Sequence, residues 1–108
     1  MKAVILNEFG KAEKLEIADV PMPEINDEQV LIRVMAAGIN PVDTKVRAGT
    51  SGMSKRIKLP VILGWDVSGI IVKAGKSVPD FKEGDAVFGC IGFPGLGSAY
   101  AEFTIADP

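Results

Sequence analysis

Turn signals cut this chain before any apolar run grows long, and that spacing constrains its fold more than any other feature. Gly10, Pro21 and Pro23 with the polar Glu24–Glu28 stretch, Gly49, Pro60, Gly75-Lys76 and Gly84-Asp85 punctuate it. Glycine frees φ and proline fixes it, so both end regular structure. The runs between them carry strand signals. Lys2–Phe9 is apolar, and in Leu15–Val20 the pair Leu15 and Ile17 alternates against Glu16 and Ala18. Val30, Ile32 and Val34 share one face of a β-branched run, with Leu31, Arg33 and Met35 on the other. Pro60–Leu63, Val67–Lys73, Ala86–Phe88 and Tyr100–Ile105 complete the set; in the last, Ala101, Phe103 and Ile105 alternate with Tyr100, Glu102 and Thr104. Many short strands joined by turns predict a mainly β fold, a small barrel or sandwich.

One stretch breaks the pattern. Residues 40–49, NPVDTKVRAG, place Asn40 as a helix N-cap, Pro41 at the first helical position and Asp43 where a capping-box acid sits. Gly49 ends these two turns as a C-terminal glycine does. Thr50–Lys58, carrying Lys55, Arg56 and Lys58, reads as an exposed loop, either merely solvated or used in binding.

A length of 108 residues suits one domain with a core that needs no disulfide staple. A net charge of −2 provides no basic footprint for nucleic acid. No apolar run approaches the ~18 residues of a membrane span, and the start turns polar at Asn7, too early for a secretory signal. One cysteine, Cys90, excludes an internal disulfide and makes the cytoplasm the expected home. Histidine is absent, which removes the usual general base and the commonest metal ligand together.

That inventory narrows the chemistry. Zinc needs about three or four good ligands, and the chain offers one thiol and carboxylates. Cys90 is expected to be a small buried residue without a histidine to activate it. Gly95-Leu96-Gly97 begins like a dinucleotide fingerprint, but Tyr100 stands where the third glycine belongs and a strand follows in place of a helix. It is a loop rather than a phosphate cradle.

The series AAGINPVDTKVRAG, PVILGWDVSGIIVKAGKSVPDFKEGDAVFG and SAYAEFTIAD resembles, in order and spacing, the N-terminal domain of medium-chain dehydrogenases/reductases. Within that family it is similar to the zinc-independent quinone oxidoreductase branch. The resemblance implies a GroES-like, partly open β-barrel with short helices. It implies that residues 1–108 are a truncated catalytic domain, with a Rossmann dinucleotide-binding domain outside the chain. It also implies a homodimer at full length, and NADPH or NADH held mainly by that other domain.

By family position Asn40 replaces the zinc-binding cysteine, and Gly64-Trp65-Asp66 replaces a Gly-His-Glu, so zinc is not expected. Val42 replaces the hydroxyl that relays an alcohol's proton, and Lys45 replaces a tyrosine common in quinone oxidoreductases. Asn40 and Lys45 are the candidates for hydrogen-bonding or cationic help, and Asp66 is a partner for either. Trp65 shapes the pocket or simply fills core, Asn40 is a site residue or only a cap, and Asp66 faces the site or binds backbone. Arg47 reads as a surface ion-pair residue.

The expected activity is hydride transfer to a quinone or an α,β-unsaturated carbonyl, with this chain inactive alone. The alternative is a free-standing scaffold or co-chaperonin-like module, for which the chain lacks an early mobile apolar tripeptide.

Overall fold

The computed structural model describes residues 1–108. Seven strands form two antiparallel sheets. The smaller sheet has the order β2 (Leu15–Asp19), β1 (Lys2–Leu6), β4 (Val61–Ile62). The larger has the order β6 (Ala86–Cys90), β5 (Asp66–Ala74), β3 (Val30–Ala37), β7 (Phe103–Ala106). The segment Ala99–Glu102 sews them together. Tyr100 O accepts the Val4 amide at 2.8 Å, Tyr100 N donates to Leu63 O at 3.0 Å, and Glu102 O accepts the Val34 amide at 2.8 Å. The result is a mainly β architecture with few short helices.

Helix α1 (Pro41–Ala48) starts and stops where its sequence signals place it. Asn40 is extended at the N-cap, and the Asp43 carboxylate accepts its amide at 2.7 Å. Gly49 adopts φ +81°, the left-handed conformation that closes a helix most easily with glycine. Asp43 and Val46, three apart, face inward.

Two buried clusters hold the sheets. One joins Leu6, Val46, Val61, Leu63 and Trp65 beneath α1; the other joins Val30, Ile32, Val67, Ile71 and Ala99 on the larger sheet. Along β5, Val67, Gly69 and Ile71 turn into the second cluster, so Asp66 and Ser68 lie on the opposite, half-exposed face.

Several expectations need correction. Thr50–Lys58 is not simply a loop, because Gly52–Arg56 forms a 3₁₀ turn. Ser51 accepts the Met53 amide at 3.1 Å, and buried Ser54 donates to Val46 O at 3.2 Å, which ties the turn to α1. Cys90 is exposed rather than buried, because it ends β6, the edge strand, on that strand's outward face. Arg47 forms no ion pair; its Nε donates to Gly10 O at 3.2 Å. In β7 the inward residue is Thr104, 3% exposed, whose hydroxyl donates to Gly97 O at 2.7 Å. A buried hydroxyl thereby anchors the glycine-rich loop. No helix is long and apolar enough to cross a membrane.

Candidate functional site

Three chain segments meet at the start of β5. Gly38, leaving β3, donates its amide to Asp66 O at 3.0 Å. Cys90, at the end of β6, is the register partner of Asp66. Asn40, the cap of α1, reaches down so that its Nδ2 donates to Asp66 Oδ2 at 2.8 Å. Asn40 and Asp66 are thus brought together across 26 residues of sequence, and Asn40 is a cap whose side chain serves another partner. An asparagine amide has two N–H donors. Asp66 takes one and orients the other.

Gly64 and Trp65 enforce this placement from below. Gly64 adopts φ +99°, and a Cβ there would lie 2.7 Å from the Tyr100 ring. Trp65 is 1% exposed. Its indole N–H donates to Gly95 O at 2.6 Å, and Phe93 meets its ring edge-on at 6.0 Å between centroids. Trp65 therefore fills core and pins the glycine-rich loop, with no face or N–H left for a ligand. Lys45 lies exposed on α1, in no ion pair and with no hydrogen bond to Asn40 or Asp66.

Two residues missed in the sequence complete the cluster. Tyr100 donates its hydroxyl to Gly38 O at 3.2 Å. Burial first, then the Asp43 and Asp66 carboxylates, hold its phenol well above the ordinary range, so it stays a neutral donor. Asp43, 4% exposed, carries the second feature: its Oδ1 is buried without a partner. Tyr100 has one proton, and Gly38 takes it. Tyr100 is the chain's one tyrosine, a signal that the alternation over residues 100–105 did not distinguish. Cys90 belongs here too, its thiol raised first by partial loss of water and then by Asp66.

The donor set does not fit zinc. No three Cys, Asp or Glu side chains converge to hold a metal ion, and Asn40 Nδ2 is engaged with Asp66. The glycine-rich loop does not fit a pyrophosphate either. A Cβ on Gly97 would lie 2.5 Å from Gly64 O, and one on Gly92 would lie 2.5 Å from Leu96 O. These glycines admit the chain's own backbone instead of a phosphate.

With two antiparallel sheets and one capped helix at their junction, the fold is that of an alcohol dehydrogenase GroES-like domain. Residues 26–108 match the alcohol dehydrogenase GroES-like domain. The chain belongs to that family. It is 43% identical over 107 residues to the quinone oxidoreductase of Lama guanicoe, covering 98% of this chain and 31% of that protein. It is 43% identical over 89 residues to the chloroplastic NADPH-dependent alkenal/one oxidoreductase of Arabidopsis thaliana, covering 82% of this chain and 23% of that protein. The solved quinone oxidoreductase of Coxiella burnetii superposes with a TM-score of 0.96 at 40% identity, covering 100% of this chain and 35% of that one. The chain spans about a third of the length of the quinone oxidoreductases it matches.

Proposed function

We propose that this chain is the substrate-side domain of an NADPH-dependent, zinc-independent oxidoreductase that reduces a quinone or an α,β-unsaturated carbonyl. The observation that carries the reading is the 2.8 Å bond from Asn40 Nδ2 to Asp66 Oδ2, which puts an oriented amide where the family resemblance puts zinc ligands. The relatives named for quinone and alkenal/one reduction support the substrate class, and the name of the second supports NADPH.

Hydride addition leaves negative charge on the acceptor's oxygen, and preoriented donors stabilise it. NADPH, held mainly by a dinucleotide-binding domain outside this chain, supplies the hydride. Asn40 contributes its second amide N–H to the oxygen until a proton arrives from solvent. Asp66 fixes the amide's direction, and Tyr100 and Asp43 fix the Gly38–Asn40 backbone that carries it. Lys45, exposed on α1, offers a flexible cation.

The test uses the full-length polypeptide with NADPH and either 1,4-benzoquinone or a simple enone. Reduction is expected, with Asn40→Ala lowering kcat/KM about 100-fold and leaving the KM for NADPH unchanged. This chain alone is expected to turn over neither acceptor. Absence of NADPH oxidation by the full-length polypeptide, or micromolar NADPH binding by this chain in calorimetry, overturns the proposal.

A further inference from the structure

Charge is segregated along this chain in a way that ion pairing does not explain. Between Thr44 and Trp65 there are five Lys/Arg and no Asp/Glu, whereas the whole chain has 12 Lys/Arg to 14 Asp/Glu. The four ion pairs, Lys2–Asp19, Lys14–Glu8, Lys76–Asp27 and Lys82–Asp85, all lie outside this stretch. Arg47 is taken up by Gly10 O. Lys45, Lys55, Arg56 and Lys58 remain exposed and unpaired.

Two of these cations line a cleft of about 480 Å³. Its apolar lining comes from Met53 and Ile57 on one segment and Pro94 and Leu96 on another; Arg56 and Lys58 join it from the first segment, and it has no carboxylate. Both walls are fixed. Met53 and Ile57 pack against the Trp65 cluster, and buried Ser54 ties their turn to α1 at 3.2 Å. The opposite loop is held by the 2.6 Å bond from Trp65 to Gly95 and by the Phe93–Trp65 contact. A solvated loop would intersperse both signs, as the rest of the chain does. A rigid apolar slot with two uncompensated cations matches a ligand with an apolar body and an anionic head, and arginine suits carboxylate, sulfonate or phosphate oxygens.

We propose that this cleft binds the anionic group of an amphipathic small molecule, which makes the preferred substrate an anionic one. The substrate half of this inference rests on the oxidoreductase reading above; the binding half does not. Trp65 links the two places, since it holds the cleft's wall at Gly95 and immediately precedes Asp66.

The binding half is tested on the chain itself with 2-naphthalenesulfonate and 2-naphthalenemethanol, which share an aromatic body and differ in charge. The sulfonate is expected to bind at least about 10-fold tighter at low salt, and to lose most of that preference at ~0.3 M salt, where charges are screened within a few ångströms. Amide shifts are expected at residues 53–58 and at 95 and 96. Arg56→Gln with Lys58→Gln removes the preference, while Lys76→Gln, in an ion pair elsewhere, leaves it intact. Equal binding of the two probes, or shifts confined to another surface, overturns the cleft. The substrate half uses the full-length polypeptide with an enone carboxylate and its methyl ester. A kcat/KM ratio favouring the acid, abolished by the double substitution with the KM for NADPH unmoved, supports it. A ratio of one with active enzyme overturns it while the oxidoreductase reading stands. Sulfonate binding by a chain whose full-length form reduces neither compound overturns the oxidoreductase reading and keeps the cleft.

Discussion

The two buried clusters differ in how they are closed. The Trp65 cluster is sealed by α1, the 3₁₀ turn and partly buried Phe9, Met53, Ile57 and Tyr100 around five deeply buried side chains. The second cluster, on the larger sheet, opens past Val87 and Ala106 into an apolar cavity of about 190 Å³. Asn40, Asp66 and Tyr100 attach to the sealed one, whereas Cys90 lines the open cavity. Trp65 precedes Asp66, Val46 shares α1 with Asn40, and Tyr100 packs on the cluster. Close packing transmits displacement, so the sealed cluster sets the 2.8 Å Asn40–Asp66 distance. The open one supplies stability with less geometric demand.

The largest expected effect tests the sealed side. Trp65→Ala removes a side chain that is 1% exposed, together with its bond to Gly95. It is expected to cost about 3–5 kcal/mol in urea unfolding. Ile71→Ala in the second cluster, also 1% exposed, is expected near the low end of its range, about 2 kcal/mol, because the adjoining cavity lets neighbours relax. Equal losses would break the contrast.

Enlarging residues sharpens it. Val46→Ile in the sealed cluster is expected to destabilise by about 1–3 kcal/mol through overpacking, whereas Val67→Ile in the open one stays within about 1 kcal/mol. A smaller effect is expected at the cap residue, where Asn40→Ala loses the hydrogen bond to Asp66 and costs about 1 kcal/mol of stability while its effect on catalysis is far larger. Loss of stability without loss of activity would make Asn40 only a cap.

The last effect is one of pH. Tyr100 holds its proton more tightly when folded than the ordinary phenol value of 10.0 allows. Its contribution is therefore complete below pH 10 and declines as pH rises from there toward the folded value. Thermal melts of Tyr100→Phe should fall less steeply above pH 10 than those of the parent. Parallel curves would show that neither burial nor the Asp43 and Asp66 carboxylates raise the phenol.

How much of this was legible depends on range. The helix was readable because its signals are local: Asn40, Pro41, Asp43 and Gly49 act within ten residues of one another. Strand existence followed from alternation, and the replacement of zinc ligands followed from Asn40 and Trp65-Asp66 by resemblance. Cys90 was misplaced because edge position depends on sheet order, which no local signal encodes. Trp65 was left open between pocket and core because one aromatic suits both until its N–H partner, Gly95, is known. Tyr100 and the unpartnered Asp43 Oδ1 were invisible, since their environment comes from residues 43, 66 and 100 meeting in space.

By itself, then, the sequence determined a mainly β domain with one capped helix, and a site lacking the ligands that zinc requires. Those properties rest on residue type and short spacing, which local sterics and side-chain chemistry decide. Tertiary structure alone decided which amide faces which carboxylate, that the tryptophan points inward, and that Arg56 and Lys58 share an apolar cleft. Such pairings follow from strand register and from packing between segments distant in the chain, where a shift of one residue turns every side chain to the opposite face.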